Sequence, residues 1–173
     1  MSLGYFELFG LSPVFSIDLT ALERNYRKIQ STSHPDRFVT ASAAEKLQSM
    51  QTATLANEAY QTLKNPASRA KYLLELHGIN AIAETNTAMP ADFLMQQMEW
   101  REAIDDATQA KSINALENLL SKMQTEAKAL QVDLADLIDA KKDYSTATKA
   151  ARKLIFIDKV RADIDKAIEQ IEA

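Results

Sequence analysis

Apolar residues recur at helical spacing along almost the whole chain, and the residues that would interrupt such a pattern are scarce: 3 glycines and 4 prolines in 173 residues. Leu19, Leu22, Tyr26 and Ile29 follow a 3-4-3 interval, which marks one buried helix face. Ala, Leu, Glu, Lys and Gln are plentiful, and these residues lose little rotamer freedom in a helical turn. An all-α fold is expected.

The few breakers divide the chain. Tyr5 to Phe9 reads as a short aromatic-rich helical turn stopped by Gly10 and then Pro13. A second helix is predicted from the N-cap Asp18 to about Ser33, where Pro35 forces the preceding residue out of the α region. A third is predicted from about Ala41 to Lys64, with Leu47, Met50, Ala53, Tyr60 and Leu63 turned inward. Asn65-Pro66 is an N-cap followed by a first-turn proline. The helix it starts is predicted to pack with Ala70, Leu73, Leu74 and Leu76 and to stop at His77-Gly78.

From Gly78 to Pro90 no period holds, and residues 77–90 are predicted to be a linker. It separates a small N-terminal domain, 1–76, from a C-terminal one, 91–173. The latter reads as three amphipathic helices, roughly 91–110, 112–140 and 144–172, with Ser112 capping the second. Short connections make an antiparallel three-helix bundle. A break near Val132 is left open.

Bulk properties exclude several classes. A net charge of −4 is not that of a chain built to coat nucleic acid. No apolar run approaches the roughly 18 residues of a membrane span, and Met1 to Leu11 lacks the pattern of a secretory signal, so cytoplasm is expected. With no cysteine, thiol chemistry and thiolate-held clusters are not available. Only His34 and His77 remain as imidazole ligands, so no metal or cofactor is expected and the chain is read as a non-enzyme.

His34-Pro35-Asp36 stands between the second and third helices. It could be a plain turn, with Pro35 as helix stop and Asp36 as N-cap of the succeeding helix. Its setting suggests more. Arg24, Arg27, Lys28 and Ser31 lie at i, i+3, i+4 and i+7, a positive stripe on the exposed face of the second helix, and Arg37 comes directly after the tripeptide. A proline-stiffened tip beside such a stripe suits docking on an acidic protein surface.

With these motifs in place, the sequence resembles the J-domain family, which stimulates ATP hydrolysis by DnaK-class chaperones. Tyr5-Phe6-Glu7-Leu8-Phe9-Gly10-Leu11 resembles the family's opening helix, and Asn25-Tyr26-Arg27-Lys28-Ile29 its second-helix core. His34-Pro35-Asp36-Arg37 is similar to the loop, Asn57-Glu58-Ala59-Tyr60-Gln61-Thr62-Leu63 to the third helix and Arg69-Ala70-Lys71-Tyr72 to the last. Thr32, Ser33 and Leu73 depart from the common pattern, and the chain carries no Gly/Phe-rich or zinc module after these motifs. The resemblance implies a co-chaperone that engages its chaperone through Arg24, Tyr26, Arg27, Lys28, His34, Pro35, Asp36 and Arg37.

The helix from Ala91 to Ala110, projected at about 100° per residue, places Phe93, Trp100, Ala103, Ile104 and Ala107 on one side. Leu94, Met95 and Met98 fall on the opposite side with Glu99, Glu102 and Asp106. Single exposed apolar residues are common, but three beside three carboxylates read as an adaptable apolar patch with an acidic rim, suited to a basic protein partner. Phe156 also falls off its helix's inward stripe and extends the patch if the two helices are neighbours.

Phe93-Leu94-Met95-Gln96-Gln97-Met98-Glu99-Trp100-Arg101-Glu102 and Arg152-Lys153-Leu154-Ile155-Phe156-Ile157-Asp158-Lys159 narrow the resemblance to the HscB family of iron–sulfur co-chaperones. That resemblance implies capture of the scaffold IscU by Leu94, Met95, Met98, Glu99, Glu102, Asp106 and Phe156, and delivery to the DnaK-class chaperone HscA. Other readings are a J-domain protein with a different client, a helical nucleic-acid binder with the basic second helix as reader, and an enzyme using His34 and Asp36 as acid and base.

Overall fold

The architecture is that of a computed structural model, which describes residues 4–83 and 89–173. The chain is all-α, with no strand among the described residues. Its internal contacts divide it into two units, Met1–Leu73 and Leu74–Ala173.

In the first unit α1 (Tyr5–Leu8) ends at Gly10, whose φ of 65° lets the Leu11 N–H turn back to the Phe6 carbonyl. α2 (Leu19–Ser33) and α3 (Ala43–Lys64) form a hairpin, with a 3-10 turn, Pro35–Phe38, at its tip. Asp18 caps α2 by accepting from the Thr20 and Ala21 N–H groups, and Ser42 caps α3 through Glu45. α4 (Pro66–Leu76) starts as its dipeptide predicts, with Asn65 Oδ1 accepting from Ala67 and Ser68.

Aromatic contacts lock these elements together. Tyr26 stacks on Tyr60 at 4.0 Å and meets the edge of Phe9, while Tyr5 stacks on Tyr72, whose hydroxyl accepts the Tyr5 N–H. Each such pair is worth roughly 0.5–1.5 kcal/mol beyond the area it buries. Asn25 donates to the Phe9 carbonyl, and the buried Arg69 donates to the Leu63 carbonyl with its guanidinium over Phe15. The motif residues Asn25, Tyr26, Tyr60, Arg69 and Tyr72 are therefore the joints of this unit.

The inward set expected for α3 holds in its second half, with Leu63 buried and Ala53 and Tyr60 half-buried, and is corrected in its first. Leu47 and Met50 are exposed, and the buried positions are Ser49, Ala56, Ala59 and Leu63. Leu47 lies roughly opposite Ser49 in projection. The hairpin thus packs through small side chains that bring α2 and α3 close, and the large residues near the tip are left outside. Leu19 is exposed as well, since side chains tilt toward the helix N-terminus and the first residue projects past the end. Leu76 is exposed because it lies off the face set by Ala67, Ala70, Leu73 and Leu74.

The second unit contains α5 (Ala91–Gln109), α6 (Ile113–Leu134) and α7 (Tyr144–Glu172), an antiparallel three-helix bundle. Its core runs through Phe93, Trp100, Leu116, Met123, Leu134, Ile138, Leu154, Ile157 and Ile164. Ser112 caps α6 by accepting from Ala115. Lys111 and Lys142 both take a φ of 52° at the two turns, a left-handed conformation that glycine would adopt more cheaply.

The helix expected over 112–140 is not uniform. Val132 stays helical and exposed, and after Leu134 the chain widens into a π-helical segment, Ala135–Ala140. It closes with the Asp143 N–H donating to the Leu137 carbonyl and with a Lys141–Asp136 ion pair at 3.0 Å. Asp136 raises the Lys141 pKa through its hydrogen bond and its charge. The Thr146 hydroxyl and backbone N–H both donate to Asp143, the N-cap of α7, and hold its carboxyl below the ordinary range.

Part of the segment expected to be linker is packed. His77 stacks on Tyr144 at 4.0 Å and Ala81 is fully buried. The portion 84–88 lies outside the described residues.

Candidate functional site

At the hairpin tip Pro35 is the first residue of the 3-10 turn, and His34 before it is extended, with φ −62° and ψ 136°. The turn closes through Arg37 N–H to the His34 carbonyl at 3.0 Å. His34 Nδ1 accepts the Asp36 N–H at 3.2 Å and lies 3.6 Å from Asp36 Oδ2, so the Nε2 edge stands outside these contacts. The side chains of His34 and Asp36 are 60% and 89% exposed, so neither is a core residue with a merely internal role.

Two serines fix the tip from behind. Ser33 donates to the Ile29 carbonyl one turn back, and Ser49 on α3 donates to the Ser33 carbonyl at 2.7 Å. Both are buried. Thr32 likewise back-bonds to the carbonyls of Lys28 and Ile29. The departures Thr32 and Ser33 thus finish α2 with hydroxyls, and Ser49, not singled out from the sequence, anchors the loop to the opposite helix. Its only signal was its place at a seven-residue interval before Ala56 and Leu63.

Arg24, Arg27, Lys28 and Arg37 are exposed, as the stripe requires. Arg27 is held by Glu23 at 2.8 Å, one turn earlier. Tyr26 differs from them. Its ring is packed on Tyr60, and its hydroxyl donates to Asn57 and accepts from Gln30, so it braces the stripe from within the unit.

On α5 the two faces separate as the projection indicates. Phe93, Trp100 and Ala107 are buried, with Ala103 and Ile104 half-buried. Leu94, Met95 and Met98 are 47%, 62% and 70% exposed, and Glu99, Glu102 and Asp106 are exposed beside them. Gln96 donates to Glu126 at 3.3 Å, tying this helix to α6.

Phe156 is half-buried in the seam between α5 and α7. It stacks on Trp100 at 6.1 Å, meets Phe93 edge-on at 5.8 Å and lies under the Arg101 guanidinium. Lys153 lies over Phe93 in the same way. The two helices are neighbours, but the Phe156 ring sets how α5 is seated rather than standing free among the outer residues. Arg101 and Lys153 were not singled out from the sequence, and an Arg or Lys beside an aromatic on a helix is too common a pattern to have flagged them.

Among the described residues no group of His, Cys, Asp and Glu could hold a metal ion, and no helix is long and apolar enough to cross a membrane. What the two surfaces can do is bind protein: one a stiff polar tip with a cationic flank, the other an adaptable apolar face with an acidic rim.

Comparison with known proteins agrees with the whole-chain pattern. Residues 89–165 match the family model described as the HSCB C-terminal oligomerisation domain. The co-chaperone protein HscB homolog of Paraburkholderia phymatum is 49% identical over 169 residues, covering 98% of this chain and 96% of the relative. That of Burkholderia thailandensis is 48% identical over the same coverage. Among solved structures, chaperone HscB from Vibrio cholerae matches with a TM-score of 0.83 and 36% identity, covering 98% of this chain and 99% of the other. Human co-chaperone protein HscB matches with a TM-score of 0.88 and 29% identity, covering 99% and 84%.

Proposed function

The chain belongs to the HscB co-chaperone family, and from that membership we propose that it captures the scaffold protein IscU on α5 and presents it to the DnaK-class chaperone HscA. The single observation that carries the client half is the exposure of Leu94, Met95 and Met98 among Glu99, Glu102 and Asp106 on an otherwise well-packed helix. An isolated apolar patch of this kind on a soluble domain is maintained against its cost in solubility when a partner covers it. Phe156 contributes through the seam, holding Phe93 and Trp100 and thereby the attitude of the outer face.

The chaperone half rests on the tip. His34 offers its Nε2 edge and Asp36 its carboxylate, with a backbone fixed by Pro35, Ser33 and Ser49. Arg24, Arg27, Lys28 and Arg37 bring positive potential to the approach, which speeds and orients encounter more than it adds affinity. Docking there promotes ATP hydrolysis on the chaperone, which then closes on the client and assists iron–sulfur cluster transfer. The protein itself performs no covalent step, and its lack of cysteine keeps it from competing for the cluster.

Bait chain immobilised and exposed to cell extract should retain both IscU and a DnaK-class chaperone. Recovery of the chaperone with a different client would leave the trigger standing and replace IscU. Recovery of neither would end the proposal.

A further inference from the structure

Two of the three apolar side chains on the outer face of α5 are thioethers. Met95 and Met98 are 62% and 70% exposed and stand three residues apart, neighbours on one helix face, while Met123 in the bundle core is fully buried. The chain has 6 methionines and no cysteine, so the sulfurs that an oxidant meets first are those of exposed methionines. Leucine at these positions would supply similar apolar area with nothing to oxidise.

We infer that Met95 and Met98 form an oxidation site, at which hydrogen peroxide converts each thioether to its sulfoxide and thereby switches off capture of the client. The inference rests on the reading of α5 as the IscU-capture face and adds a control to it. In the step, a sulfur lone pair attacks one oxygen of the peroxide, and the S–O bond forms as the O–O bond breaks. The other oxygen leaves as water, carrying both peroxide protons. Sulfur loses the electron pair that the peroxide gains, so no further reactant is needed.

The product changes what the face can bind. A thioether is flexible and apolar, whereas a sulfoxide is polar and its oxygen can only accept hydrogen bonds. Glu99, Glu102 and Asp106 beside it are ionised carboxylates that hold acceptors only, so the rim gives that oxygen no donor. Arg101, one turn after Met98, has its guanidinium over the Phe156 ring. A partner shaped for the unoxidised face meets the sulfoxide with apolar groups, and burying an unpaired polar oxygen is costly. The His34-Pro35-Asp36 tip contains no sulfur, so oxidation of α5 acts on capture and leaves the trigger in place.

Chain treated with hydrogen peroxide, freed of it and then titrated with untreated IscU in a calorimeter tests this. Peptide mass spectrometry should find Met95 and Met98 oxidised and Met123 spared. The Kd should rise by about tenfold or more, and methionine sulfoxide reductases acting on both epimers should restore it. The Met95→Leu, Met98→Leu variant should bind IscU nearly as the wild type does and keep that affinity through the same treatment, although Met1, Met50 and Met89 remain in it. An unchanged Kd after both sulfurs are oxidised overturns the inference. So does an equal loss of affinity in the treated leucine variant, which would put the damage elsewhere in the chain. Untreated wild type that fails to bind IscU overturns the capture reading itself, and the control with it.

Discussion

The hairpin tip and the outer face of α5 both present exposed groups, yet they are made by opposite means. At the tip the backbone is the specialised part. Pro35 fixes one angle, His34 Nδ1 takes the Asp36 N–H, and Ser49 clamps the Ser33 carbonyl from the facing helix. On α5 the backbone is ordinary helix, and what is special is the side on which Leu94, Met95 and Met98 stand. A stiff constellation suits a switch, which must present a few polar groups in one orientation. A Met-rich helix face suits capture, which needs apolar area that can adapt to its partner.

That contrast can be broken most sharply at the tip. His34→Gln removes the outward imidazole edge and should bring ATPase stimulation down to the basal rate, while IscU affinity measured by calorimetry stays at the wild-type value. Equal loss of both would mean the two surfaces are not independent.

Next in size, Leu94→Ala with Met95→Ala should weaken IscU binding by about 2–4 kcal/mol, the scale of interface hot spots. Stimulation measured without IscU should be unchanged, and the melting temperature nearly so, since Met95 is mostly and Leu94 about half in water. Adding Phe156→Ala should also lower the melting temperature, because that ring holds Phe93 and Trp100. A melting temperature untouched by Phe156→Ala would return the residue to the free patch.

A smaller effect tests the clamp. Ser49→Ala leaves the Ser33 carbonyl without this donor, at a cost to stability of about 1 kcal/mol. Partial loss of stimulation with intact IscU binding is the expected pattern. Full stimulation would show that the stiffness of the tip does not depend on α3.

The smallest effect belongs to the bundle alone. Asp143 caps α7 with its carboxyl held below the ordinary range by Thr146. A depressed folded pKa means that its contribution is present above the unfolded value and is lost as pH falls through the lower folded one. Asp143→Ala should therefore lower the melting temperature by a few degrees near neutrality, with the difference vanishing in strong acid. Neither function should change.

Much of this is readable in the residues. Asp18, Asn65, Ser112 and Gly10 announce helix ends by local chemistry, and all act where the sequence places them. The two faces of α5 separate by period alone. The face of α3 misleads for a physical reason: Leu47 and Met50 look like core, but the hairpin closes through Ser49, Ala56 and Ala59, whose smallness is the packing signal and carries little hydrophobic weight. The π-helical segment after Leu134 is hidden for a related reason. A π-helical turn leaves the apolar spacing nearly intact, and its marks are backbone bonds, Lys141 N–H to the Asp136 carbonyl and Asp143 N–H to the Leu137 carbonyl. Phe156 lies on the expected helix but is not the free surface its position suggests, because a ring half-buried in a seam reads in sequence like an outward one. Tyr26, expected as a docking residue, also stacks on Tyr60 within its own unit, a contact its place in the basic helix does not announce.

The claim on which everything else depends is that trigger and capture surfaces must reside on the same molecule to deliver a client. Mixing the two single-function chains tests it most directly: His34→Gln, which keeps the α5 face, with the Leu94→Ala, Met95→Ala variant, which keeps the tip. With HscA and IscU present, the mixture should show no more IscU-dependent ATPase stimulation than the better of its components alone. Recovery of wild-type stimulation by the mixture would show that the two surfaces work without being joined, and would contradict the delivery role.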